Sequence, residues 1–107
     1  MRPVRGFHRG GLAALAMAAG LLAGGAAAEG VDASLLAGTC ANCHGTDGRS
    51  PGAIPSIAGK PFAVLNAQLA AYKAGEAKDA TVMTRLALGF TDAELEALAR
   101  HFSEIQP

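Results

Sequence analysis

The chain has 107 residues, half of them hydrophobic, with nine Lys and Arg balanced by nine Asp and Glu. That length holds one domain and excludes a large multidomain enzyme. A net charge of zero argues against a nucleic-acid surface, which would show a basic excess, and 17% charged residues is too few for a disordered tail.

In chain order, residues 1–28 come first. They carry Arg2, Arg5 and Arg9 but no acid, and the 19 residues 10–28 carry no charge. A basic start, an apolar Ala/Leu/Gly middle and the small-residue exit Ala26-Ala27-Ala28 predict a secretory signal peptide cleaved after Ala28. The alternative is an uncleaved anchor, since 19 uncharged residues can just span a bilayer, but Gly and Ala are weak membrane residues. The remaining chain, residues 29–107, is the predicted mature domain. It has six basic and nine acidic residues, so its net charge is −3. Its aromatics are Phe62, Tyr72, Phe90 and Phe102. This is a thin core for so small a domain, which needs a staple of some kind.

A short first helix is predicted behind Asp32 as cap, with Leu35, Leu36 and Thr39 preceding the cysteines. The stretch 45–59 holds four glycines and two prolines, and is read as a loop without regular structure. A second helix starts at Pro61, a favoured first-turn residue. Phe62, Leu65, Leu69 and Tyr72 lie on one of its faces, and Gly75 ends it. A second loop, 76–89, contains Met83 and a possible turn of helix over residues 85–88. The last helix opens with Thr91-Asp92-Ala93-Glu94, a capping box, and lines Leu95, Leu98, Phe102 and Ile105 on one face. Nothing reads as a strand, so the class is all-α, with loops long enough to wrap something.

Cys40-Ala41-Asn42-Cys43-His44 is C-x-x-C-H, the attachment signature of c-type haem. On a helical turn these residues stand at i, i+3 and i+4 and face one way. Two thiols then reach the two haem vinyl groups, and the imidazole stands under the iron as proximal ligand. A structural disulfide, a thioredoxin-like redox pair and a zinc site are the competing readings. The redox pair expects a βαβ context, and zinc needs further ligands where only His101 is on offer. One covalent haem also accounts for the thin core.

Residues 29–107 contain a single methionine, Met83, which lies 39 residues after His44. On a loop between two helices it can reach the distal face of the iron, and Met/His ligation raises the reduction potential. Its bland alternative is a flexible core filler. His101, beside Phe102 on the last helix, is the rival ligand and would give a low-potential bis-His site. An open distal position would suit a sensor or peroxidase. The second nitrogen of the proximal His needs a partner, and the carbonyl of Pro51 or Pro55 in the following loop is the candidate. Plain stiffening of the loop is the alternative role for these prolines.

Taken together, C-A-N-C-H-G-T-D-G, Pro55-Ser56-Ile57-Ala58-Gly59 and Met83 resemble the class I cytochromes c, especially small c4/c5-like bacterial forms, over nearly all of residues 29–107. The resemblance implies three main helices and long loops around one covalent haem c. It implies thioethers at Cys40 and Cys43, axial His44 and Met83, and the Pro55 carbonyl on the proximal His. It also implies that the first and last helices cross, placing Leu36 against Leu98 and Phe102. Residues 71–76 and 81–94 are similar to the cytochrome subunit of flavocytochrome c sulfide dehydrogenases, whose run reads T-I-M-x-R-I-A-K-G-Y-T-D-x-E. Leu88 and Phe90 depart from it, standing where a basic residue and a Tyr are common.

The resulting expectation is a periplasmic single-haem carrier of one electron at a time. Its role is that of the haem subunit receiving electrons from a sulfide-oxidising FAD flavoprotein and passing them to other redox proteins. A free-standing diffusible carrier is the alternative, and a haem sensor or peroxidase is the third reading. No catalysis is expected of this chain alone, nor any binding to nucleic acid or stable membrane insertion. A permanent subunit exposes an apolar patch beside its haem edge, for which Leu88 and Phe90 are the candidates.

Overall fold

A computed structural model describes residues 30–107. The predicted leader, residues 1–28, lies outside the described residues. Helix α1 spans Ala33–His44, α2 Phe62–Ala74, α3 Val82–Ala87 and α4 Asp92–Glu104, with a 3-10 turn at Thr46–Gly48. No strand occurs among the described residues, and the all-α fold is that of a class I cytochrome c. No helix among them is long and apolar enough to cross a membrane.

Each main helix starts and stops where its local chemistry dictates. Asp32 caps α1: its carboxylate accepts from the Ser34 backbone N–H at 3.1 Å and from the Ser34 hydroxyl at 2.6 Å. The helix then runs through the whole C-x-x-C-H motif, so Cys40, Cys43 and His44 occupy its last turns. Pro61 stands one position before α2 rather than as its first residue, and its carbonyl accepts from Val64 and Leu65. At the other end Gly75 takes φ 73°, the left-handed conformation. The N–H of Glu76 there bonds Ala71 at 2.9 Å and that of Gly75 bonds Tyr72 at 3.1 Å, closing the helix as a Schellman turn. The capping box of α4 is complete. Glu94 N–H donates to the Thr91 hydroxyl at 3.1 Å, and Thr91 N–H donates to the Glu94 carboxylate at 2.8 Å.

Two further expectations are corrected. The stretch 45–59 is not wholly irregular, because a 3-10 turn forms at its start, with Asp47 in the left-handed region at φ 56°. An Asp tolerates that conformation better than most side chains. The helical turn expected near residues 85–88 begins earlier, at Val82, so Met83 lies inside α3 rather than on a loop. Its start carries no side-chain cap at Thr81; the Thr84 hydroxyl instead bonds back to the Ala80 carbonyl at 3.0 Å.

The core gathers on α4. Leu98, Ala99 and Phe102 pack with Leu65 of α2 and Ala37 of α1, and Leu36 lies against their edge. Leu36 therefore meets this group as expected, but Ala37 is the residue of α1 that is fully inside. A small side chain there lets the two helices approach closely. Lys73 bonds Asp92 at 2.7 Å, and the Arg100 guanidinium sits 4.4 Å from the centre of the Phe62 ring, both joining α2 to α4. Four of the eight buried hydrophobic residues are alanines, Ala37, Ala58, Ala87 and Ala99. The protein's own side chains thus fill the interior only in part.

The loop after α1 is fastened to the rest of the molecule along its length. The Gly48 carbonyl accepts from Ile57 and Ala58, and the Gly59 N–H donates to Phe102 at 2.8 Å. Ser50 N–H bonds the Ser56 hydroxyl at 2.8 Å, and Arg49 reaches the Gln106 carbonyl at 2.9 Å. Fifteen residues without a long element are in this way given one course, with Pro55 at a fixed place on it.

Candidate haem site

Helices α1, α2, α3 and α4 enclose a cavity of about 490 Å³. Its walls are mostly apolar, with Leu65 and Leu69 from α2, Leu86 from α3 and Leu98 and Phe102 from α4. Cys40, Cys43, His44, Pro55 and Met83, the five residues singled out from the sequence, all border it.

His44 ends α1, where the helix delivers its ring to the cavity one residue after Cys43. Its Nδ1 lies 2.6 Å from the Pro55 carbonyl oxygen. A carbonyl only accepts, so Nδ1 carries the proton and Nε2 keeps its lone pair, the tautomer a metal ligand requires. Pro55, not Pro51, makes this bond. Its place is set by the bonds from Ser50 to Ser56 and from Gly48 to Ile57 on either side.

Cys40 is half-buried and Cys43 exposed, and the two thiols are not joined to each other. Burial pushes the Cys40 thiol up from its ordinary pKa. A redox-active C-x-x-C needs the opposite shift, toward thiolate, so the local chemistry disfavours the thioredoxin-like reading. The all-helical surroundings remove the βαβ context that reading requires.

Met83, half-buried on the first turn of α3, presents a thioether to the same cavity. His101 does not border it. Its ring stands edge-on to Phe102, with centroids 5.1 Å apart, and lies along a separate groove between the start of α1 and α4.

Sequence reasoning missed Thr39, Lys60, Gln68 and Tyr72 as polar members of the wall. Gln68 had a signal: it falls on the Leu65–Leu69–Tyr72 face, a polar residue inside an apolar stripe. Phe90 is also corrected. It is half-buried against the core and borders the cavity, so it does not form the exposed patch expected of it. As the residue before the Thr91 cap it stands where an apolar side chain folds back over the first turn of the helix. Leu88 is 62% exposed, as expected of a patch residue.

An apolar cavity, a pair of thiols and a proton-fixed imidazole at the end of a helix are the features of a c-type cytochrome. The chain belongs to the cytochrome c family, matching it over residues 28–105. It is 42% identical over 67 residues to the cytochrome subunit of sulfide dehydrogenase from Chlorobaculum tepidum, a match covering 63% of this chain and 60% of that protein. It is 37% identical over 69 residues to cytochrome c-554(548) from Halomonas halodenitrificans, covering 62% of this chain and 83% of that one. It is 37% identical over 69 residues to the thiosulfate dehydrogenase electron acceptor of Stutzerimonas stutzeri, there spanning 32% of the relative's length.

The family, the paired cysteines and His44 fit one covalently bound haem c, and the protein is a haem electron-transfer protein. The cavity agrees: its size, its apolar walls and its nitrogen and sulfur donors suit a large flat macrocycle with iron at its centre. When bound, that group supplies one-electron transfer at the iron. The chain's part is to hold the ligands still and keep water from the ring.

Proposed function

We propose that the chain is exported, that residues 1–28 are removed as a leader, and that residues 29–107 work in the periplasm as the haem subunit of a sulfide-oxidising flavocytochrome. In this reading Cys40 and Cys43 carry the two thioethers, His44 Nε2 and Met83 Sδ are the axial ligands, and the Pro55 carbonyl orients His44. An FAD protein takes electrons from sulfide, and this chain receives them one at a time and passes them to other redox proteins. In this reading the residues at the cavity hold and orient the haem, and the oxidation of sulfide itself is carried out on the flavoprotein.

The observation that carries the subunit reading is the rim of the cavity. Val82 is 63%, Leu86 40% and Ile54 43% exposed, all three border the cavity, and Leu88 follows two residues after Leu86. An exposed apolar rim of this kind suits a lasting interface, whereas a carrier that meets partners briefly is steered by charge. The likeness to the C. tepidum cytochrome subunit supports the same reading.

The free-standing carrier has its own support in the match to cytochrome c-554(548), which covers most of that protein. Purification from the native host under mild conditions separates the two. A subunit brings an FAD protein with it in fixed ratio, and the pair reduces an added cytochrome when given sulfide. A haem protein that elutes alone and gains no sulfide-dependent activity from any flavoprotein fraction overturns the subunit reading.

A further inference from the structure

Of the six basic residues among residues 30–107, three are engaged: Arg49 with Asp47 and the Gln106 carbonyl, Lys73 with Asp92, and Arg100 with Glu96 and Phe62. Lys60, Lys78 and Arg85 make no ion pair among the described residues. Lys78 and Arg85 are exposed and do not border the cavity, where water can solvate them. Lys60 is different. It is half-buried and lies in the wall of the cavity, where among the described residues it is the sole lysine or arginine and no aspartate or glutamate borders the space. Its backbone is also held. Gly59 before it donates to the Phe102 carbonyl at 2.8 Å, and Pro61 after it begins the turn into α2. A half-buried lysine at an apolar cavity, with no carboxylate among the lining residues, is a place where an anion carried by the occupant of the cavity finds its counter-charge.

Haem c brings that anion, since its macrocycle carries two propionate carboxylates. We infer that Lys60 is the side chain that pairs with a haem propionate. It thereby anchors that propionate beside residue 60 and raises the reduction potential. The second effect follows from charge. Propionate anions favour the ferric, more positive iron, and an ammonium beside one of them cancels part of that bias. The inference rests on covalent haem c and is independent of which redox protein is the partner.

The test is the midpoint potential of the holoprotein in four forms: native, Lys60→Met, Lys60→Arg and Lys78→Met. Lys60→Met is expected to move the ferric/ferrous equilibrium toward ferric by roughly three- to tenfold, about 30–60 mV for one electron. Lys60→Arg is expected to stay near the native value, because it keeps the charge. Lys78→Met removes the same net charge from an exposed site off the cavity, and is expected to leave the potential nearly unmoved. The propionate bending modes in the resonance Raman spectrum should shift in Lys60→Met and not in Lys78→Met. If Lys60→Met does not assemble with haem, Lys60→Gln carries the same comparison. An unmoved potential on loss of the Lys60 charge overturns the inference. So does an equal shift in Lys60→Arg, or in Lys78→Met.

Discussion

Met83 and His44 reach one cavity from different elements, and what each does there depends on a few neighbouring atoms. His44 is held by one bond, from Nδ1 to the Pro55 carbonyl at 2.6 Å, which leaves Nε2 for a metal. Met83 is aimed by α3, a helix of six residues tied down through Thr84. Replacing Met83 by Ala removes the thioether and little else. The ferric protein is then expected to lose the sulfur-to-iron charge-transfer band at the red end of its spectrum, and its potential is expected to fall. Retention of that band in Met83→Ala would mean that Met83 is a filler of the cavity. Gly48 is a second residue on which the site depends. It has φ 76°, and a Cβ there would lie 2.7 Å from Ile57 Cγ1 and 2.9 Å from Phe102 Cδ1. Gly48→Ala should cost about 1–3 kcal/mol through the left-handed backbone and a comparable amount through crowding, read from denaturant unfolding of the holoprotein.

The helices show how element boundaries follow from local chemistry. Thr91→Ala removes one half of a capping box and should destabilise the protein by about 1 kcal/mol, measurable as a lower Tm. At α1 the capping group titrates. The bond from the Ser34 hydroxyl, helped by the Ser34 backbone N–H, holds the Asp32 carboxyl below its ordinary pKa of 3.8. A lowered folded-state pKa contributes stability above the ordinary value, and that contribution is lost as the pH falls through the lowered one. The difference in stability between native protein and Asp32→Asn, read by thermal unfolding across the acid range, should therefore shrink on acidification below about pH 4. Asp32, Gly75 and the Thr91 box act within one turn of chain, which is why α1, α2 and α4 were legible in the sequence. The start of α3 was not, because no side chain caps it. The 3-10 turn was hidden because Asp47 adopts a backbone conformation that breaker counting does not distinguish from loop. Among the site residues, Cys40, Cys43 and His44 were legible from spacing alone. Met83 stood out as the one methionine of residues 29–107, and the choice of Pro55 over Pro51 needed the family resemblance as well. Lys60 was out of reach, since it is brought to the cavity by the bond from Gly59 to Phe102, across 43 residues of sequence.

On the scale of the whole molecule, the helices pack through a small core on α4 and leave a large apolar space beside it. Half of the buried hydrophobic residues are alanines, while larger apolar side chains such as Leu69, Leu86 and Phe90 turn toward the cavity. A domain of this size buries only about 60% of its unfolded surface even when its core is full. The haem therefore belongs to the folding free energy as much as to the function, and its two covalent tethers on α1 keep it from leaving. The fold, the cavity and the electron-transfer role meet in that claim, and one measurement tests it most directly. Residues 29–107 are prepared with and without covalent haem, and thermal unfolding is followed by far-ultraviolet circular dichroism. The account predicts a cooperative, helical transition for the haem protein. For the haem-free chain it predicts weak helicity and no transition, with rapid proteolysis. A haem-free chain that is compact, protease-resistant and cooperatively folded would contradict it.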